Sequence, residues 1–385
     1  MNNEEKKYTN PISRFFHNDS GINFLSSAFA ILAGILFSFF LMLAFEPGDA
    51  FEGVGIILSA GFREGMSSLG NVVVKATPII LTGLSIGFAF KTGLFNIGAT
   101  GQLTMGAFTS IYIGVHWTFL PGYSHWMVAV LGAILVGAIW GVIPGLLKAF
   151  FNVHEVVATI MLNYIAMYSV SRLVQDFVFE PLKSESQSVH PNAVIPRMFL
   201  DKIFPDSSVT GGFWLALLAV VIIYIVLNKT TFGFQLKAVG HNKDAAKYAG
   251  INEKMSVVYA MAIAGALAGL AGAVIYLTTS GAHISTTYIL QPEGFDGIAV
   301  ALLGLSNPFG ILGAGLFLGY IKVAGLYLQT LTFKKEIIDI IISAIIYLSA
   351  LSIVFRSAGR WLVAKIDKLF VKKDTEPVVE TGGDE

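Results

Sequence analysis

Cysteine is absent from all 385 residues, which excludes a disulfide framework, thiolate metal sites, iron–sulfur clusters and a cysteine nucleophile. Charge is scarce as well. Asp, Glu, Lys and Arg make up 13% of the chain, against about 25% in soluble domains, too little to clothe a soluble globule of this length. The chain has no P-loop, no G-x-G-x-x-G strand turn and no H-E-x-x-H, so ATP hydrolysis and zinc-protease chemistry would have to come from another chain. The seven histidines are scattered. His154-Glu155 is the one pairing of a histidine with an adjacent carboxylate, and neighbouring positions point to different faces of a helix. The pair reads as a helix start at a membrane interface, and no metal site or catalytic group is expected. Formal charge is zero, so only the distribution of charge along the chain informs, and no nucleic-acid partner is expected.

What the chain has in abundance is apolar sequence: 55% hydrophobic residues and a mean hydropathy of +0.70, the composition of a polytopic membrane protein. A span needs about 20 mostly apolar residues. Ten candidates emerge, over residues 24–45, 72–90, 102–117, 126–147, 155–173, 213–227, 256–277, 295–305, 309–329 and 337–355. The eighth is too short to cross as a regular helix, so either residues 286–293 contribute or the segment is re-entrant. The expected organisation is a cytosolic lead-in over 1–23, a transmembrane unit over 24–356 and a basic, then acidic tail over 357–385.

Orientation follows from the basic residues of short loops. The loop 228–255 carries Lys229, Lys237, Lys243, Lys247 and Lys254 against Asp244 and Glu253, which places it in the cytosol. The loop 176–212 holds Lys183, Arg197 and Lys202 against five carboxylates, which suits the outside. Counting spans from either loop puts both termini in the cytosol, and the tail's Arg356, Arg360, Lys365, Lys368, Lys372 and Lys373 agree. Lys334 and Lys335 dissent, with Glu336 and Asp339 beside them.

The second span does not simply end. Over residues 82–108 the apolar run is broken by Lys91-Thr92-Gly93 and again by Asn96-Ile97-Gly98-Ala99-Thr100-Gly101-Gln102. Lipid cannot hydrogen-bond an unwound backbone, so such a break at membrane depth needs protein or a water-filled cavity around it; the alternative is a cytosolic turn between two ordinary spans. Spans two to five and seven to ten form two blocks of similar length with opposite orientation, the pattern of an inverted repeat, which places transport sites at broken helices. A second broken segment lies at the matching point, 291–304, followed by Ser306-Asn307-Pro308.

The cytosolic loop contains a short helix signal over 244–249, with Asn242 as cap and Gly250 as terminator. Ala245, Ala246 and Ala249 would leave one face flat for a close partner. Together, GLFNIGATGQ (93–102), VHEVVATIMLNYIA (153–166), GHNKDAAKYAGIN (240–252) and GFDGIAVALLG (294–304) resemble the permease subunits of bacterial ABC importers of the ribose/branched-chain amino acid type. Within that group the chain is most similar to the nucleoside-importer branch, which works with a lipoprotein of the basic membrane protein family. The resemblance implies an all-α, type II importer-like permease of about ten transmembrane helices in the bacterial cell membrane. It implies three partners: a second, related permease forming a heterodimer, an ATP-binding subunit that holds ATP-Mg, and an external substrate-binding lipoprotein. No cofactor is expected on this chain. The extra length before residue 72 and the long external loop look like the larger of two unequal permeases. Gly240, His241, Asn242, Ala245, Ala246 and Gly250 fall on the family's coupling helix, which docks on the ATP-binding subunit. Many relatives carry a carboxylate where this chain has Thr100.

For the pathway, the candidates are Asn96, Gln102, Asn163, Glu293, Asp296 and Lys322. Asn96 and Gln102 do not share a face of a continuous helix, but an unwound segment could aim both amides at a path, where they would bind a nucleoside's hydroxyls or base edges; otherwise they satisfy the freed backbone. Asn163, midway along the fifth span, faces a cavity or bonds a neighbouring helix. Glu293 and Asp296 line the outer entrance of the eighth span, or sit at a solvated mouth or a helix N-terminus. Lys322 is an intramembrane charge, with Asp296 or Asp339 as its candidate partner, and Lys75 reads as an interfacial anchor. Ribose-like sugars and branched-chain amino acids are the alternative substrates. An ion-coupled secondary transporter would need buried mid-span carboxylates, and these spans offer almost none.

Overall fold

A computed structural model describes residues 19–278 and 283–351. Residues 1–18 of the expected lead-in, the end of the tenth span and the whole tail, with its basic residues, lie outside these. Each of the ten expected spans is helical: α1 (Asp19–Phe45), α3 (Met66–Lys91), α4 (Ala99–His116), α5 (Tyr123–Phe151), α6 (Glu155–Phe177), α8 (Gly212–Lys229), α11 (Glu253–Tyr276), α12 (Pro292–Leu303), α13 (Pro308–Leu328) and α14 (Lys335–Ala350). Seven of them, among the described residues, are long and apolar enough to cross a membrane. Among the described residues, four short α-helices complete the set: α2 (Ala50–Ser59), α7 (Leu200–Ile203), α9 (Thr231–His241) and α10 (Lys243–Tyr248).

Helix starts follow local chemistry. Asn242, Asn252 and Asn307 cap α10, α11 and α13, their side-chain oxygens accepting from Ala245 N, Met255 N and Phe309 N at 3.0, 3.1 and 3.0 Å. Pro292 and Pro308 occupy the first turns of α12 and α13, where a missing N–H costs nothing. The outer loop is folded. Residues Phe179–Glu180 pair antiparallel with Glu185–Ser186, and Ile195 N donates to Leu277 O at 3.0 Å, which lays the loop over the end of α11.

Two helices form the posts of the bundle. α3 and α11 are 89% and 72% buried over their apolar windows, whereas α1 is 22% buried and packs on α14 at the periphery. α5 packs on α11 as α13 packs on α3, and α4 packs on α11 as α12 packs on α3. Exchanging α3–α6 with α11–α14 thus reproduces the pattern of neighbours, the arrangement an inverted repeat predicts.

The closest of these contacts, α5 on α11, is made backbone to backbone. A β-carbon at Gly137 would overlap the Gly265 carbonyl, one at Gly265 the Gly137 carbonyl, and one at Gly269 the Ala133 carbonyl. Both helices carry glycines four apart, the spacing that lets membrane helices touch where no hydrophobic effect drives them together. Its counterpart joins backbone and side chain: a β-carbon at Gly319 of α13 would overlap the Val72 carbonyl of α3, and one at Gly315 the Ile80 side chain.

α12 resolves the question of the short eighth span. Its 12 residues cover about 18 Å, well short of a ~30 Å hydrocarbon core, and residues 286–291 add no helix. It is a half-span. The turn joining it to α13 places Leu305 and Ser306 in succession at φ 53° and 52°, a conformation side chains rarely adopt.

Gly269→Val should push α11 off α5 and destabilise the purified protein by ~2–3 kcal/mol or more, read as a fall in Tm in detergent. Gly313→Val, where nothing lies within 4 Å of the added carbon, should leave Tm unchanged.

Candidate functional site

The expected site residues fall into three groups, each held by a different part of the bundle. The first is the break between α3 and α4. α3 closes with Thr92 N, Gly93 N and Leu94 N donating to Ala89 O, Phe90 O and Ala89 O, each at 3.0 Å, and Gly93 supplies the positive φ of 74° that this closure requires. The chain then turns back into the protein. Asn96 is fully buried; its Nδ2 donates to Gln102 Oε1 at 3.0 Å and to Ser85 Oγ at 3.5 Å, while its Oδ1 accepts from Gly98 N at 3.1 Å. Asn163, reaching over from α6, accepts from Gly101 N at 2.8 Å and donates through Nδ2 to Ile97 O at 3.1 Å.

Asn96, Gln102 and Asn163 are 0, 1 and 2% exposed. Their amides are engaged with each other and with the freed backbone, the pairing that an unwound segment away from water demands. The same stretch contains Gly83-Leu84-Ser85-Ile86-Gly87, a G-x-S-x-G, which corrects the expectation that the chain has no such motif. It lies inside the unbroken α3 with Ser85 fully buried, not on the strand-to-helix turn that exposes a nucleophile.

The second group lines a cavity of about 530 Å³ enclosed by α3, α11, α12, α13 and α14. Asp296 and Lys322 meet there, Lys322 Nζ lying 2.6 Å from Asp296 Oδ2, so of the two candidate partners Asp296 is the one engaged. Glu293 Oε2 is buried without a hydrogen-bond partner, and its backbone carbonyl accepts from Thr82 Oγ1 at 2.8 Å. Thr82 sits well inside α3. Of the two alternative readings, the helix N-terminus holds for Glu293, which lies in the first turn of α12, and the solvated mouth is corrected, since that turn is packed against the interior of α3. Lys75, Gln329 and Asp339 are exposed at the rim of the cavity, and Pro78, Ile79, Val274 and Ile275 form an apolar wall. No sequence pattern announced this cavity, because its lining comes from five helices.

The third group is the α9–α10 corner. Gly240 presses on the break itself: a β-carbon there would overlap Lys91 O and lie 2.9 Å from Thr92 C and 3.0 Å from Gly93 N. Asn242 caps α10 as expected, and Gly250 has a φ of 78°. His241, Ala245, Ala249 and Gly250 are exposed. The flat face is corrected in one position. Ala246 is 4% exposed and belongs to the protein's interior, whereas Tyr248, one turn from Ala245, is 94% exposed. Lys91 Nζ in turn donates to Leu305 O at 3.5 Å, so the corner, the α3–α4 break and the α12–α13 turn gather at one end of the bundle.

The family described as branched-chain amino acid transport system / permease component matches residues 68–350. The chain is 39% identical over 301 residues to the guanosine ABC transporter permease protein NupP of Bacillus subtilis, covering 78% of this chain and 84% of that one. It is 33% identical over 332 residues to the nucleoside ABC transporter permease protein NupB of Lactococcus lactis, covering 84% and 90%. The glucose ABC transporter permease protein TsgB13 of Haloferax volcanii is 30% identical over 348 residues, 88% of each chain. The first two organisms each have a second, more distant relative with a name of the same kind, 27% and 28% identical. No solved structure matches the chain.

Asn163→Ala should leave Gly101 N and Ile97 O buried without partners, at roughly 1–3 kcal/mol each, and lower Tm in detergent. Asn228→Ala, at an exposed position, should not.

Proposed function

The chain belongs to the branched-chain amino acid transport system / permease component family, and from that premise we propose that it is the translocating subunit of an ATP-driven importer of nucleosides. The observation that carries the reading is the backbone contact of Gly240 on the break at Lys91–Gly93. A cytosolic motor acting on the α9–α10 corner would move the broken helix directly, without needing a flexible side chain between them. Through Lys91 and Leu305 the same displacement would reach the turn between the half-span and α13, and so bias one repeat against the other in an alternating-access cycle.

The nucleoside substrate is supported by the names of two relatives that share 33–39% of their aligned residues with the chain. The relative named for glucose supports a sugar as the second reading, and the two readings share a polyhydroxylated solute. The occurrence of two such relatives in one organism supports a second, unequal permease as partner. An ATP-binding subunit carrying ATP-Mg would bind at the α9–α10 corner. An external lipoprotein would deliver solute to the folded outer loop, with both termini on the cytosolic side of the cell membrane. Asn96, Gln102 and Asn163 would shape the pathway by holding the break; Glu293, Asp296 and Lys322 would meet the solute.

Two measurements test this. Uptake of labelled nucleoside into vesicles holding the assembled importer should require ATP and survive an ionophore; uptake that persists without ATP and collapses with the ionophore would replace the reading with an ion-coupled one. Tyr248→Asp, on the exposed side of α10, should reduce co-purification of the ATP-binding subunit and transport by about tenfold or more while the chain remains in the membrane. Undiminished transport would remove the corner from the coupling role.

A further inference from the structure

The cavity enclosed by α3, α11, α12, α13 and α14 has the volume of a small-molecule site and two unlike faces. One is apolar, formed by Pro78, Ile79, Val274 and Ile275. The other carries Glu293, whose buried Oε2 has no hydrogen-bond partner, and the Asp296–Lys322 pair at 2.6 Å. An ionised carboxylate oxygen accepts only, and an ammonium carries three donors, of which one is directed at Asp296. The polar face therefore offers acceptors and donors side by side.

A group that is both donor and acceptor satisfies such an array. A hydroxyl does this, and a pair of neighbouring hydroxyls does it twice. A cation would be drawn to Glu293 but repelled by Lys322, and an anion would meet two carboxylates. An uncharged solute with a vicinal diol at one end and a flat apolar body at the other matches both faces. We propose that this cavity, inside a single subunit, is a binding site for the vicinal diol of the transported solute, with Glu293 accepting from the diol and Lys322 donating to it. The inference rests on the reading of the chain as an importer subunit and goes further by naming the residues that meet the sugar end of the solute.

Glu293 lies on the half-span whose far end joins the turn contacted by Lys91. Occupancy of the cavity and the position of the coupling corner are thus connected through α12, a single rigid element.

The test uses the assembled importer with its lipoprotein unchanged, so that any altered preference arises in the membrane subunit. Uptake is measured for a ribonucleoside, its 2′,3′-dideoxy counterpart and free ribose. In Glu293→Gln, ribonucleoside uptake should fall by about tenfold or more while the dideoxy compound, which never used the carboxylate, stays within about twofold, so that the preference between them collapses. Equal losses for both compounds, or an unchanged preference, would overturn the proposal while leaving the importer reading intact. Absence of ATP-dependent uptake of either nucleoside by the unaltered assembly would instead overturn the nucleoside reading; free ribose then tests the diol site alone, which stands if Glu293→Gln lowers ribose uptake by about tenfold and falls if it does not. Should Glu293→Gln fail to reach the membrane, Ile275→Trp fills the cavity from its apolar wall: ribonucleoside uptake reduced by about tenfold or more supports the site, and uptake unchanged overturns it.

Discussion

The structure depends on one requirement: wherever a helix is interrupted and its chain is buried, the backbone groups it frees must find partners within the protein. At the α3–α4 break the partners are amide side chains. Asn96 and Gln102 bond each other and the turn, and Asn163 supplies one acceptor and one donor from a neighbouring helix. The same requirement separates the polar residues by role. Amides that complete the break are not free to bind a solute, whereas Glu293, in the first turn of the half-span α12, has an oxygen with nothing to accept from.

Close helix contact supplies the rigidity this arrangement needs. The α5–α11 pair touches backbone to backbone at Gly137, Gly265 and Gly269. The related α3–α13 pair touches backbone at one glycine, Gly319 against the Val72 carbonyl, and a side chain at the other, Gly315 against Ile80. The neighbours of each helix correspond across the two repeats, while the residues at the crossings differ.

Much of this was legible in the sequence. Interrupted hydropathy located the break, Asn242 and Gly250 bounded the short helix α10, and block lengths showed the repeat. These features are written in consecutive residues. Depth and facing are not. The eighth segment gave its shortness but not its starting level, so Glu293 and Asp296 were read at a surface mouth, whereas the bond from Thr82 to the Glu293 carbonyl sets them inside the bundle. Ala246 looked like part of a flat outer face because a six-residue helix is too short for its periodicity to declare which side is buried. The cavity assembles from five helices, and no local pattern encodes it. The G-x-S-x-G at Gly83–Gly87 shows the converse: a motif in consecutive letters is empty when the backbone around it is an unbroken helix.

The position of Gly240 ties these parts together. A side chain there would stand between the α9–α10 corner and the break, and compliance in that side chain would absorb a displacement before it reached α3. Glycine allows the two backbones to approach until carbonyl and Cα touch, and a contact of that kind transmits a push with little loss. The break is held by the amides of Asn96, Gln102 and Asn163, and it adjoins the α12–α13 turn through Lys91. That turn holds two non-glycine residues in the left-handed region, a conformation that costs of order 1–3 kcal/mol for each. A strained turn beside a rigid lever is where a small imposed movement has the least barrier to overcome.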